Sequence, residues 1–275
     1  MKVDALHFML ITGDPETARA AELAGVERVF VDMESRGKEE RQGHLSTHRA
    51  SHTLEDVERV ASSVDRAEVM VRVNPPGSET ADEVDAAIAA GAQRLMLPMF
   101  VSSAQVEEFL GQVDGRVPVT LLVETPAALT RLRLYLGQLG VQDQVHIGLN
   151  DLSLAAGLDF LFEPVAGGML EEPARLCREA GVIFGIGGVG RIGHGDVPAE
   201  WILGEHLRLG SNWVILSRSF RDTLGGEGGQ PDSQLLGREL LRLRECESAL
   251  RREGPDFFEH NRTRLRERVF ELAAS

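Results

Sequence analysis

Eight short apolar runs of β-strand character recur along the chain, with a helix-type segment between each and the next. They cover residues 3–11, 28–33, 68–73, 94–97, 117–123, 144–148, 182–186 and 213–216. A strand followed by a helix and then another strand returns the chain to the end from which it started, so the strands must pair in parallel. Eight such units predict a closed (β/α)8 TIM barrel; a doubly wound open sheet is the alternative. The run 117–123 is continuous and rich in β-branched residues, the pattern of a strand buried on both faces. The 275 residues suit one barrel of about 250 residues.

Local punctuation supports the same reading. Asp14 is placed to cap a helix with Pro15 at its first position and Gly25 at its end. Thr53 with Asp56 three residues on forms an acidic capping box. Asn74-Pro75-Pro76-Gly77-Ser78 breaks the third run, and the next helix extends to about Ala90, closed by Gly91. Helices are predicted at 103–113, from Thr125-Pro126, at 171–180 and at 199–209. The barrel core is thus expected within 1–220. A glycine-rich stretch, 225–229, separates it from C-terminal helices in 230–275. The first of these carries Leu235, Leu236, Leu240, Leu243, Cys246 and Leu250 on one side, and a helical tail covers 259–274. These helices could pack on their own barrel or reach a neighbouring subunit.

Composition narrows the function. A net charge of −14 argues against nucleic acid, which needs clustered Lys and Arg, while a small anionic substrate stays allowed where one Arg and one metal ion reverse the local field. Two distant cysteines, Cys177 and Cys246, without a CxxC, read as reduced thiols and suit the cytoplasm. The start, Met1-Lys2-Val3-Asp4, lacks a signal-peptide pattern, and no apolar run nears the ~18 residues of a membrane span.

In a barrel the active site lies at the C-terminal ends of the strands. There the sequence places Asp32 and Glu34 after the second run, Arg72 and Asn74 after the third, Glu124 after the fifth, and Asn150 and Asp151 after the sixth. Charged groups on apolar strands are costly to bury unless paired or metal-bound. One such case reads as a structural ion pair; four successive ones point to a site. Magnesium commonly takes one or two carboxylates and leaves its other positions to water and substrate. Glu124 and Asp151, on successive strand ends, are therefore the candidate metal ligands. A cation there would polarise the carbonyl of a 2-oxo acid and stabilise the enolate formed when a neighbouring bond breaks. Arg72 has the fork geometry for a carboxylate or oxyanion.

Five segments together resemble the HpcH/HpaI aldolase and citrate-lyase β-subunit family: Phe30-Val31-Asp32-Met33-Glu34, Val71-Arg72-Val73-Asn74-Pro75, Leu97-Pro98-Met99, Val123-Glu124-Thr125, and the stretch from Gly148 through Asn150-Asp151 to Gly157. The resemblance spans about the first 220 residues. It implies a metal-dependent (β/α)8 barrel, often a homo-oligomer with an exchanged C-terminal helix. It further implies Glu124 and Asp151 as ligands of Mg2+ or Mn2+, and Arg72 as the group holding the 2-oxo acid. The chemistry implied is reversible aldol cleavage giving pyruvate or a related 2-oxo acid plus an aldehyde, or the parallel cleavage of acyl-CoA thioesters. One position departs from the pattern. The aldolase branch has a His after strand two, where this chain has Ser35. Lys38, His44, His48 and His52 in the following connection are the substitutes, His44 being favoured, with Asp32 or Glu34 orienting the base or a water.

Gly185-Ile186-Gly187-Gly188-Val189-Gly190 matches GxGxxG, but it follows the seventh run and no helix opens directly after it, so a dinucleotide fingerprint is disfavoured. Loops after strands seven and eight of barrels often hold phosphate. Gly187, Gly188, Arg191, His194 and Ser217 are therefore candidates for a sugar-like or phosphorylated acceptor, the alternative being a tight turn that needs small residues. His7 is expected as a core histidine, and His146 and His206 as structural. The leading expectation is a class II lyase; a CoA-thioester lyase or hydrolase and a non-catalytic acid- or sugar-binding barrel are the alternatives.

Overall fold

A computed structural model describes residues 5–36, 52–224 and 230–275. His44, Lys38, His48 and the glycine run 225–229 lie outside these residues. Eight parallel strands close into a barrel in chain order: β1 (His7–Ile11), β2 (Arg28–Asp32), β3 (Glu68–Arg72), β4 (Arg94–Leu97), β5 (Val119–Val123), β6 (Gln144–Ile147), β7 (Ile183–Val189) and β8 (Trp213–Leu216). β8 pairs with β1 to complete the ring.

The two-residue period of the strands sorts their side chains into two cores. One set, including Phe8, Val29, Val31, Val69, Val71, Leu95, Leu121 and Val145, faces the helices. The alternate set, Met9, Phe30, Met70, Met96 and Leu122 with Trp213 and Ile215, fills the barrel interior. Below this apolar layer the same inward positions are charged. Arg28 is 1% exposed and donates to Glu68 (2.6 Å) and Gln144 (3.0 Å). Its guanidinium lies 3.7 Å from the centre of the Trp213 ring. Arg94 shares Glu68 at 3.0 Å and donates to the Val119 and Gln142 carbonyls. These groups stop the N-terminal end of the barrel, so chemistry is left to the other end.

The capping signals translate directly. Asp14 accepts from the Thr17 amide to start α1 (Pro15–Ala24), which Gly25 ends in the left-handed region. Thr53 and Asp56 form the capping box of α2 (Leu54–Ala61). Two C-terminal helices, Ser233–Leu250 and Pro255–Ala273, seat on their own barrel. Glu247 accepts from the Leu6 amide at 2.8 Å, Arg244 pairs with Glu27 at 2.7 Å, and Asn261 donates to the Trp201 carbonyl at 3.0 Å. The final helix starts four residues before its expected position, because Pro255 serves at its first turn. Among the described residues no helix is long and apolar enough to cross a membrane. Cys177 and Cys246 are free thiols, and burial pushes Cys177 up to about 12.

β7 runs three residues beyond the predicted end and absorbs most of the glycine motif. It shifts register against β8 between Gly185 and Gly188. A Cβ on Gly185 would lie 2.3 Å from His146 Nδ1, and one on Gly187 would lie 2.6 Å from Leu149 Cδ1. These glycines admit protein side chains. The run lies within a strand rather than opening a helix, so the dinucleotide geometry is not formed.

His146 and His206 are structural, as expected. His146 Nε2–H donates to the Gly187 carbonyl at 3.1 Å, and His206 Nδ1 lies 2.9 Å from the Ser211 hydroxyl. Burial holds them neutral, lowering His146 to about 3 and His206 to about 4. The unfolded chain takes up these protons near pH 6.5 and the folded one does not. Stability is therefore complete above pH 6.5 and lost as pH falls from there toward 4 and 3. The expected slope is about 1.4 kcal/mol per pH unit for each histidine. Urea melts at pH 7, 6 and 5 should show it, and His206→Gln should remove roughly half. His7 departs from its expected place in the core. It is half-exposed, stacks on Trp213 at 4.7 Å and faces Glu27 at 3.5 Å.

Candidate active site

Strand register brings the charged residues of β2 and β3 together. Asp32 and Arg72 are direct partners across the pair. Arg72 Nε and Nη2 both donate to the Asp32 carboxylate at 2.8 Å. Its Nη1 lies 3.3 Å from Glu34, and Phe30 lies beneath the guanidinium at 5.5 Å. Asp32 is 5% and Glu34 1% exposed. Two carboxylates thus hold one guanidinium at a fixed orientation, which is costly to build in a dry site and specific once built. Their attraction raises the Arg72 pKa, so the group is permanently charged.

Glu124 follows β5 and is 3% exposed. Its Oε1 accepts from the Met99 amide at 3.1 Å. Met99 has a φ of 53°, a left-handed conformation rare for an unbranched, bulky residue. That backbone, just past Pro98, aims the amide at Glu124. Gly148 leaves room on the other side, where a Cβ would lie 3.0 Å from Glu124 Cβ and 3.1 Å from Oε2. Asp151, 9% exposed, sits in the first turn of Leu149–Ala155, the helix that follows β6. Burial pushes the Glu124 carboxyl up to about 8. Arg72 opposes this, and the charges of Asp151 and Glu34 add to it. The candidate ligands therefore share one pocket of charge with Arg72 and Glu34.

The carboxylates of Asp32, Glu34 and Glu124 act on a single guanidinium, which Asp32 and Glu34 already engage, and Asp151 lies close enough to Glu124 for their charges to repel. The donor set fits a hard divalent cation held by Glu124 and Asp151, which would relieve their repulsion. Among the described residues no group of three His, Cys, Asp or Glu is arranged to hold a metal ion. The protein would supply two ligands, the others falling to water and substrate.

The remaining expected residues are placed differently. Asn74 Oδ1 accepts from the Ser35 and Arg36 amides, at 2.9 and 3.0 Å, and its Nδ2 donates to Glu83. It clamps the connection after β2. Asn150 is exposed beside Asp151. Gly187 and Gly188 lie within β7, while Arg191, His194 and Ser217 gather at the β7–β8 rim, linked through Ser219. Of the histidines after β2, His52 is described. Its amide donates to the Asp32 carbonyl, and the Asp32 amide donates back to His52 Nδ1, each at 3.0 Å. A Cβ on Gly13 would lie 2.4 Å from the ring. Because Nδ1 accepts, the proton of the neutral ring is on Nε2. Met99 and Gly148 stand within the family-like segments, but no sequence pattern indicates their contacts with Glu124 or that of His52 with Asp32.

The fold and the site define a parallel barrel whose mouth combines a clamped arginine with paired carboxylates. No protein-family model and no curated protein matches the sequence. Among solved structures, the chain resembles an HpcH/HpaI aldolase from Desulfitobacterium hafniense DCB-2 at 17% identity and a TM-score of 0.58. That likeness covers 78% of this chain and 86% of the other. It also resembles an HpcH/HpaI aldolase/citrate lyase family protein from Burkholderia cenocepacia J2315, again at 17% identity and a TM-score of 0.58, with 88% and 95% covered. The family suggested by the strand-end segments is thus the one to which both neighbours are assigned; at this identity the likeness establishes the fold.

Proposed function

We propose that the protein is a class II lyase of the HpcH/HpaI type, which makes or cleaves the carbon–carbon bond next to a 2-oxo acid. The observation that carries this reading is the juxtaposition of Glu124 and Asp151 beside Arg72. Glu124 and Asp151 would hold Mg2+ or Mn2+, which when bound would polarise the 2-oxo carbonyl. Arg72, locked by Asp32 and Glu34, holds the substrate carboxylate or the oxyanion that develops at the keto oxygen. Its fixed fork makes that stabilisation available without reorganisation during the reaction. In cleavage, a base removes the proton of the hydroxyl on the departing carbon, the aldehyde leaves, and the electron pair passes into the 2-oxo acid fragment. That fragment is then protonated to give pyruvate or a relative. His44 is the proposed base. His52, with Nδ1 occupied by the Asp32 amide, is suited to donate from Nε2 rather than to accept there.

The test is exchange of pyruvate methyl protons in D2O, followed by NMR, which reports enolisation without knowledge of the aldehyde. Exchange that depends on Mg2+ or Mn2+ and stops with EDTA is expected. Cation binding without exchange would favour a non-catalytic acid-binding barrel, and exchange indifferent to EDTA would refute the metal-dependent mechanism.

A further inference from the structure

The rim after β7 and β8 carries a second polar cluster of opposite character. Ser217 follows β8, and its amide donates to the Val189 carbonyl at the end of β7 at 2.9 Å. Its hydroxyl lies 3.0 Å from that of Ser219. The acceptor sides of both hydroxyls face backbone amides: Ser219 Oγ accepts from the Arg191 amide at 3.0 Å, and Ser217 Oγ from the Ser219 amide at 3.3 Å. One hydroxyl hydrogen spans the pair and the other is left to donate outward. Gly190 backs the pair, since a Cβ there would stand 3.6 Å from the Ser219 hydroxyl and 3.8 Å from that of Ser217. Arg191 Nη2 donates to His194 Nδ1 at 3.3 Å, which places the neutral ring's own proton on Nε2. Between the two serines stands Arg218, exposed.

The charge pattern across the mouth is therefore divided. The carboxylates follow β2, β5 and β6, whereas hydroxyl donors and arginines follow β7 and β8. The second side thus offers donors and positive charge with no buried carboxylate among these contacts, and both sides belong to one rim.

We propose that the β7–β8 rim binds an oxyanion, phosphate or carboxylate, at the far end of the aldehyde partner. Arg218 supplies the charge, and the one free hydroxyl hydrogen of the Ser217–Ser219 pair and His194 Nε2–H supply hydrogen-bond donors. The assignment to the aldehyde rests on the lyase reading; oxyanion binding is a property of the cluster itself. It is tested by calorimetric titration of the full chain with glycerol 3-phosphate, glycerate and glycerol. At least one of the two anions should bind tenfold or more tighter than glycerol, and the tighter of them identifies the oxyanion. Arg218→Gln and the pair Ser217→Ala/Ser219→Ala should each weaken that anion at least tenfold, with thermal melts showing both variants folded. Equal binding of all three ligands, or anion binding that survives both variants, overturns the proposal. Proton exchange on the same samples separates it from the lyase reading: anion binding without exchange sinks only that reading, and exchange without anion preference sinks only this one.

Discussion

Glu124→Gln is expected to lower metal-dependent proton exchange and turnover by about 10^3-fold, because it removes one of two anionic ligands and with it the several kcal/mol a Lewis acid contributes. The same substitution should stabilise the cation-free protein at alkaline pH. The Glu124 carboxyl is pushed up to about 8 by burial and by Asp151 and Glu34, above its ordinary value near 4.5. The folded state therefore keeps a proton that the unfolded chain releases. Stability is fully present below about pH 4.5 and lost as pH rises through 8. A neutral amide has no such loss. In EDTA at pH 9, Glu124→Gln should melt above the wild type by about 3 °C, a shift equivalent to roughly 1 kcal/mol in a domain of this size. Adding Mg2+ or Mn2+ should then raise the melting temperature of the wild type alone. Thermal melts at pH 6 and 9, with and without the cation, check both parts. A variant that keeps wild-type turnover, or that gains from the cation as the wild type does, would show that Glu124 is no ligand.

Arg72 offers the second large effect, and two substitutions separate its roles. Arg72→Met leaves Asp32 and Glu34 buried without their cation, so it should cost about 3–5 kcal/mol in urea unfolding. Arg72→Lys keeps the charge and loses the two-point grip on Asp32 at 2.8 Å. It should fold with a loss of about 1–2 kcal/mol, an arginine–carboxylate fork exchanged for a single contact. Its kcat/KM should nevertheless fall about 10^2- to 10^3-fold, in the range seen when one oxyanion donor is lost. Near-normal exchange by Arg72→Lys would mean that charge alone suffices and that the clamp serves folding.

The fold was legible because each level of the sequence agreed. Apolar runs, caps and breakers all implied strand–helix units, and eight such units close a barrel. The site was legible as far as strand ends place single residues: Asp32, Glu34, Arg72, Glu124 and Asp151 all lie at the mouth. What each does depends on neighbours distant in sequence. Asp32 and Glu34 read as acid–base candidates until strand register set them on Arg72. Asn74 read as a site residue from its strand-end position, whereas its side-chain amide holds the Ser35 and Arg36 backbone. The glycine motif needed the third dimension most, since the clashes that Gly185 and Gly187 avoid come from His146 and Leu149, 39 and 38 residues away. No local pattern foretells the left-handed backbone at Met99, because side-chain chemistry there gives no hint of it.

β3 points Glu68, Met70 and Arg72 into the barrel at successive inward steps. The same five-residue strand therefore anchors the charged floor through Arg28 and Arg94, contributes to the apolar filling, and presents the arginine of the mouth. Deleting one residue from it would turn Val69 and Val71 inward and remove all three contributions together. Engineers grafting new loops onto this scaffold meet the same arrangement in β2, through Arg28, Phe30 and Asp32. The third strand is a keystone: libraries that randomise it would forfeit foldability and chemistry in the same clones, and selection for either would refix the same three letters.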